Sequence, residues 1–133
     1  MKPKIIVTRD IPDEVESKLK EHFQVSFNRE DKVFSNDILR KAMENADGIV
    51  CTVTDSITDN LFTLPKKKVK IIANIGVGVD HIDLQSAKEN NVIITNTPEV
   101  LTEATVDVAT LLLLSVTRNA FLVERMLRQG EWK

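Results

Sequence analysis

Short apolar runs alternate along most of the chain with segments whose apolar side chains recur every third or fourth position. Such runs, bounded by polar residues, are typical of buried strands, and the wider spacing is typical of helices that bury one face. The runs predict five strands, at Ile5–Val7, Gln24–Phe27, Gly48–Val53, Val69–Ile75 and Val92–Ile94.

The intervals between these strands carry helix signals. Pro12 suits the start of a first helix, and Ser35 or Asn36 can cap a second. Thr58 and Asp83 can cap two more. The first two helices have apolar faces, made by Val15, Leu19 and Phe23 and by Ile38, Leu39, Ala42, Met43 and Ala46. Strands alternating with helices are typical of βαβ crossovers, so the predicted class is α/β with a parallel five-stranded sheet.

The last part of the chain has a different pattern. From Ala104 to Arg128 nothing breaks a helix, and Gly130 is the first stop signal. Such a helix would be roughly 37 Å long, about the diameter of a domain of this size. Leu111–Leu114 make it apolar on more than one face. We therefore predict one long helix that needs a second packing surface, either another domain or another subunit.

Composition narrows the class of partner. The 133 residues are enough for one domain, and 18 Lys and Arg against 20 Asp and Glu give a net charge of −2. This balance gives no reason to expect nucleic acid or a membrane surface as a partner. Cys51 is the single cysteine, which excludes an internal disulfide and a multi-cysteine zinc site. With no secretory signal at the start and no apolar stretch long enough for a bilayer, we expect a cytoplasmic protein.

A glycine-containing segment at residues 74–83 (NIGVGVDHID) follows the fourth predicted strand. Ligands of parallel α/β sheets bind at the carboxyl ends of the strands, where glycines with positive φ can present amides to an anion. We predict that the amides of Val77 and Gly78 hold a carboxylate or phosphate; the alternative is a tight turn without a ligand. The dinucleotide pattern G-x-G-x-x-G is absent, because His81 stands where its third glycine would be.

His81 could act as a general base or a metal ligand with Asp80 or Asp83, although a surface or capping role is the more common use of such a residue. His22 is the only other histidine and lies on a predicted helix, so a three-ligand metal geometry has weak support and no metal site is predicted.

Polar residues also follow the third and fifth predicted strands. Residues 52 and 54–56 (Thr52, Thr54, Asp55, Ser56) could line the same cleft or form a turn, and Cys51 is predicted to be a core residue. Residues 95–105 (TNTPEVLTEAT) lead into the long helix, where hydroxyls and free amides could contact an anion or cofactor. The alternative there is capping by Thr102 with a turn at Pro98.

The motifs at 72–83 (IANIGVGVDHID), 95–98 (TNTP) and 101–107 (LTEATVD) together resemble the D-isomer-specific 2-hydroxyacid dehydrogenase family, especially its glyoxylate and hydroxypyruvate reductases. The resemblance covers the whole chain and implies a flavodoxin-like substrate-binding domain with helices on both faces of its sheet. It implies that residues 1–103 form this domain and that residues 104–133 form the helix that crosses between two domains.

The resemblance also implies roles for particular residues. Val77 and Gly78 would offer backbone amides to the substrate carboxylate, and Val53 would lie beside the substrate. Leu101 and Thr105 would contact the nicotinamide cofactor, NAD or NADP. The family's clamping Arg and its Glu–His pair belong to a nucleotide-binding domain that this sequence does not contain, so no catalytic residue is assigned here. The implied partners are a small 2-oxo or 2-hydroxy acid, that cofactor domain, and a second copy through the long helix.

Three functions therefore remain open. The favoured one is the substrate-binding domain of an NAD(P)-dependent dehydrogenase, inactive by itself and binding no cofactor tightly. The second is a standalone carboxylate-binding or regulatory module that uses the same amides. The third is a phospho-receiver, which has the same strand alternation and would use Asp10 and Asp55, although Asn96 and Thr97 stand where it needs a lysine.

Overall fold

The computed structural model describes residues 2–131; Met1, Trp132 and Lys133 lie outside it. Its strands form a single parallel sheet in the order β2-β1-β3-β4-β5. This confirms the predicted five-stranded parallel sheet; the predicted and observed strand ends differ by no more than a few residues. The strands are β1 Lys4–Val7, β2 Gln24–Phe27, β3 Gly48–Thr52, β4 Ile71–Ile75 and β5 Ile93–Thr95.

Four helices connect consecutive strands: α1 Asp13–His22, α2 Asn36–Asn45, α3 Asp59–Phe62 and α4 Leu84–Glu89. Two of the predicted caps form as expected. The Ser35 hydroxyl accepts a hydrogen bond from the Ile38 amide (3.4 Å), and the Asp83 carboxylate accepts one from the Ser86 amide (2.8 Å). Each bond satisfies an amide that the first turn of a helix leaves without a backbone acceptor.

Apolar side chains are buried on both faces of the sheet, which confirms the expected flavodoxin-like arrangement. The larger core lies under α2, α3 and α4 and has Met43, Ile49, Phe62 and Ile72 at its centre. The smaller core packs Ile5, Val7 and Ile11 against partly buried side chains of α1 and β2.

The inner face of α1 agrees with the prediction at Leu19 and Phe23, which pack against the smaller core, but not at Val15. Val15 is 41% exposed, whereas Glu16 is 4% exposed and is the buried residue of this helix. The Arg29 guanidinium donates hydrogen bonds to both Glu16 oxygens, and Lys20 donates a third at 3.0 Å. These three bonds allow a charged side chain to be buried on the face of α1 that packs against the domain.

The ion pair between Glu16 and Arg29 predicts that the free energy of unfolding decreases in acid. Hydrogen bonding to Arg29 lowers the pKa of the Glu16 carboxyl from 4.5 to about 2. Between pH 4.5 and about 2, the Glu16 carboxyl is protonated in the unfolded chain but remains ionised in the folded chain. The free energy of unfolding therefore falls as the pH drops through this range. Urea unfolding at a series of pH values should show this fall, and Glu16→Gln should reduce it. The exposed Glu14→Gln is the matched control, and equal acid sensitivity of the two variants would contradict the assignment.

The chain divides into two compact units, Met1–Pro98 and Glu99–Lys133. Within the second unit, α5 spans Thr102–Thr117 and α6 spans Ala120–Arg128. The prediction of one unbroken helix from Ala104 to Arg128 is therefore wrong. Asn119 has a left-handed backbone with φ of 52°, a conformation that asparagine adopts more readily than most residues, and it ends the helical hydrogen-bond pattern.

Among the described residues, no single helix is both long and apolar enough to cross a membrane. The α5 and α6 pair meets the length and composition criteria together, but the two helices are bent by 69° at their junction.

Candidate functional site

Three segments meet at the carboxyl edge of the sheet, where Val53 follows β3, residues 76–78 follow β4, and Asn96 and Thr97 follow β5. We call residues 76–78 the amide loop. A Cβ atom at Gly76 would lie only 3.1 Å from Val53 Cγ1, so Val53 packs directly against this loop. The structure thus brings together the three residues predicted to face the substrate: Val53, Val77 and Gly78.

The first and last carbonyls of the amide loop are bound by neighbouring groups. Gly76 O accepts hydrogen bonds from the Thr97 amide (3.0 Å) and from Asn74 Nδ2 (3.1 Å). Gly78 O accepts a bond from the same Asn74 Nδ2 at 2.9 Å. The Gly76 amide donates to Thr97 Oγ1 at 3.1 Å, so Thr97 pairs with both backbone groups of Gly76.

The middle carbonyl of the amide loop is bound as well, because Val77 O accepts a hydrogen bond from Asn96 Nδ2 at 2.9 Å. All three carbonyls therefore have partners, supplied by the end of β4 and by the segment after β5. This arrangement fixes the orientation of three consecutive peptide groups.

The fixed carbonyls determine where the amides point. The described chain has no cis peptide bond, and in a planar trans peptide the N–H group points opposite to the C=O group. The amides of Val77, Gly78 and Val79 share their peptides with the three bound carbonyls and so point away from those partners. Within residues 2–131, none of these three amides donates a hydrogen bond to a protein acceptor. They are donors available to a ligand at the surface of the sheet edge.

The glycines of the amide loop do not have the expected positive φ. Gly76 is required there for lack of room for a side chain. Of the described glycines, only Gly130 has a positive φ, so the prediction of left-handed glycines at positions 76 and 78 is wrong. Gly76 is needed because a side chain there would press on Val53 and Asn74. At Gly78 a Cβ would meet only Asp80 Oδ2, at 3.6 Å. The Asp80 carboxylate therefore lies close to the loop and weakens its attraction for an anion.

His81 is half-buried, and its Nε2 lies 3.2 Å from Asn74 Oδ1. Asp83 accepts the capping bond of α4, and Asp80 is exposed. In the described part of the chain, no three His, Cys, Asp or Glu side chains cluster as a metal site would require. The position of His81 favours a structural role over that of a base or ligand.

Asp55 is 1% exposed and lies between the ends of β1 and β3. Its Oδ2 accepts hydrogen bonds from Thr8 Oγ1 (2.5 Å) and from the Thr52 amide (3.0 Å), whereas Oδ1 has no partner among the described residues. The bond to Thr52 is the turn interaction that was the alternative to cleft lining. A phospho-acceptor must be reached by its donor, so the burial of Asp55 contradicts the phospho-receiver hypothesis.

Cys51 is fully buried beside this turn, and its Sγ lies 3.8 Å from Asn74 Oδ1. Burial, aided by the negative charge of Asp55, raises the pKa of the Cys51 thiol to about 12. The thiol is protonated at neutral pH and cannot serve as a nucleophile, which agrees with its prediction as a core residue.

The predicted cofactor contacts, Leu101 and Thr105, lie in the second compact unit, at the first turn of α5. The Thr105 hydroxyl donates to Leu101 O at 2.8 Å. Both residues line an apolar groove of about 480 Å³ together with Ala104, Val108, Ala109 and Leu112. Thr102 is the first residue of α5 and makes no capping hydrogen bond, so the alternative in which it caps this helix is wrong.

Two positions that act on the amide loop, Asn74 and Asn96, were not assigned roles from the sequence. The signal for Asn74 was a lone amide side chain in the apolar strand 71–75 (IIANI). A polar side chain at a buried strand position requires partners, and the nearest unsatisfied carbonyls belong to the loop that follows. Asn96 carries no comparable signal, because polar residues are common after any strand.

The strand order, with helices on both faces and a loop of free amides at the carboxyl edge, defines a doubly wound, flavodoxin-like α/β domain. The family model described as "D-isomer specific 2-hydroxyacid dehydrogenase, catalytic domain" matches residues 5–128. The chain belongs to the D-isomer-specific 2-hydroxyacid dehydrogenase family, as its motifs predicted.

Individual relatives agree with this assignment. The glyoxylate reductases of Thermococcus onnurineus and Pyrococcus horikoshii are each 38% identical over the whole chain. Among solved structures, the TT0316 protein from Thermus thermophilus superposes with a TM-score of 0.82 at 38% identity, covering 98% of this chain and 42% of that one. D-mandelate dehydrogenase from Rhodotorula graminis gives 0.76 at 25% identity, covering 98% and 41%. The chain spans about 40% of the length of the curated relatives it matches.

Proposed function

We propose that this chain is the substrate-binding domain of an NAD(P)-dependent D-2-hydroxyacid dehydrogenase that reduces a small 2-oxo acid such as glyoxylate or hydroxypyruvate. The observation that carries the proposal is the amide loop, whose three carbonyls are bound and whose amides at Val77, Gly78 and Val79 are free. The glyoxylate reductases named above support the choice of substrate class.

A carboxylate suits this loop chemically. Each oxygen of a carboxylate accepts hydrogen bonds from N–H groups, and charged acceptors strengthen such bonds. Because neighbouring groups already fix the peptides, little conformational entropy is lost when the ligand binds. The exposed face of Val53 beside the loop offers an apolar contact for the carbon skeleton of a small acid.

The support for the cofactor assignment is the groove lined by Leu101 and Thr105. The groove at Leu101 and Thr105 is apolar and suits one face of a nicotinamide ring, and the Thr105 hydroxyl is already bonded within the helix. The sequence has no glycine-rich phosphate loop, so we propose that the chain alone binds NAD(P) weakly and reduces no substrate. When bound, the nicotinamide would supply the hydride; this chain would hold the acid.

The exposed apolar residues of α5 and α6 extend the proposal to partners. None of their residues is buried, and Leu111–Leu114 are each more than half exposed. We propose that this surface packs against a nucleotide-binding domain or a second copy, because large apolar patches are rarely left in contact with water.

A titration of the ¹⁵N-labelled chain with glyoxylate tests the carboxylate site. We expect millimolar glyoxylate to shift the amide signals of Val77, Gly78 and Val79, with sodium chloride at equal ionic strength as the control. In parallel, the purified chain should oxidise no NADH or NADPH with glyoxylate. Unmoved loop amides would contradict the carboxylate site. Robust NAD(P)H-dependent reduction by the chain alone would contradict the proposed inactivity.

A further inference from the structure

Asn74 makes an unusual number of contacts for one side chain at the end of a strand. It is 2% exposed and contributes the only polar side chain of β4. Its Nδ2 donates to Gly76 O and Gly78 O, and its Oδ1 faces His81 Nε2 at 3.2 Å and Cys51 Sγ at 3.8 Å. The side chain thus links the amide loop to the buried end of the sheet.

The chemistry of these contacts fixes the proton on His81. Backbone carbonyls only accept hydrogen bonds, so the Asn74 atom facing two of them must be the NH₂ group. The atom facing His81 is therefore the oxygen, which also only accepts. His81 must then donate from Nε2, and its neutral imidazole carries the proton on Nε2 instead of Nδ1.

We infer that Asn74 is a positioning residue for the carboxylate site: it holds two of the three peptides of the amide loop with their carbonyls inward, and the Nε2–H group of His81 holds Asn74 in that orientation. The inference rests on the proposed function where it concerns substrate, but the geometry of the loop can be tested without one.

The burial of Asn74 makes it the dominant tether. Hydrogen bonds away from water are stronger than exposed ones, and a buried donor cannot be replaced by solvent without rearrangement. Asn96 and Thr97, which hold the rest of the loop, are exposed, and water can compete for their bonds. Without Asn74, Gly78 O has no other partner among the described residues, and the peptide carrying the Val79 amide is free to rotate.

Asn74→Leu removes both tethers, keeps the branching and the number of side-chain heavy atoms, and adds no charge. We expect it to move the ligand-free amide signals of Val77, Gly78 and Val79 and to weaken glyoxylate binding roughly tenfold, the effect of about one lost hydrogen bond to a charged group. The matched control is Asn90→Leu, because Asn90 Nδ2 is also part-buried and donates to a backbone carbonyl, that of Ser86, in α4. It should change neither readout.

His81 supplies a second test that does not depend on Asn74→Leu folding. Long-range ¹⁵N–¹H spectra of the ligand-free protein should show the Nε2–H tautomer. His81→Leu should reproduce the loop shifts of Asn74→Leu, and His81→Gln, whose amide N–H can reach the same position, should restore the native signals and affinity.

The outcomes separate the two hypotheses. An Nδ1–H tautomer, or loop signals unchanged in both Asn74→Leu and His81→Leu, would overturn the positioning role even if glyoxylate binds. Native loop behaviour that depends on Asn74 and His81, without glyoxylate binding by the unaltered chain, would support the positioning role and contradict the proposed function.

Discussion

Phe62→Ala should lower the free energy of unfolding by about 3–5 kcal/mol, the usual cost of removing a buried aromatic side chain. Phe62 is completely buried at the end of α3, in the core shared by α2, α3 and α4. The cost combines the lost transfer of apolar surface from water with the cavity that remains, because close-packed neighbours relax only partly. For a domain whose total stability is of order 5–15 kcal/mol, the variant should be at the edge of folding.

Urea unfolding followed by far-ultraviolet circular dichroism measures the effect. The control is Val33→Ala, since Val33 is 55% exposed in the loop before α2 and should change stability by no more than about 0.5 kcal/mol. Similar losses for the two variants would mean that the core described around Phe62 is wrong.

The sequence predicts this core well because its signal is local. The buried face of α2 is predicted by the helical spacing of Leu39, Ala42 and Met43. The buried strand β3 is predicted by the β-branched run at 48–53, which has turn residues on both sides. The same logic places Leu19 and Phe23 correctly but misses that α1 buries Glu16 and leaves Val15 exposed. Glu16 is buried with its charge paired to Arg29, which lies in the loop after β2. The periodicity of apolar residues within α1 gives no information about such a distant partner.

The break at Asn119 has a local signal, which is asparagine's tolerance of a left-handed backbone. A single asparagine is nevertheless weak evidence against a long apolar pattern, so an unbroken helix is the natural prediction.

In the candidate site, too, local features could be predicted from the sequence and contacts between separate segments could not. Two glycines after a strand predict a ligand site there, because parallel α/β sheets bind their ligands at the carboxyl ends of the strands. The direction of the amides, however, depends on Asn74, Asn96 and Thr97, which reach the same three peptides from two separate segments of the chain. The sequence therefore predicts the position of the loop. The bonds from Asn96 and Thr97 form only because β4 and β5 lie side by side, and they cannot be predicted from either segment alone.

Thr8→Val is expected to destabilise the fold by about 2–3 kcal/mol, although the two side chains have nearly the same shape. Thr8 is fully buried, and its hydroxyl donates to Asp55 Oδ2. Since Oδ1 of Asp55 already lacks a partner among the described residues, the substitution leaves a buried carboxylate with a single donor, the Thr52 amide. Removing one partner of a buried charged group costs more than the bond itself contributes.

A double-mutant cycle decides whether this loss of stability comes from the unpaired charge of Asp55 or from the replacement of Thr8 alone. Valine gains apolar burial at position 8, which favours the variant by less than about 1 kcal/mol, so the unpaired charge should dominate. In an Asp55→Asn background the charge is gone, and Thr8→Val should then cost at least about 1 kcal/mol less. Thr63→Val, which alters an exposed hydroxyl at the end of α3, should have little effect in either background. If Thr8→Val costs the same with Asp or Asn at position 55, the charge of Asp55 is not the source of the loss, and the cost comes from the missing hydroxyl and the packing around position 8.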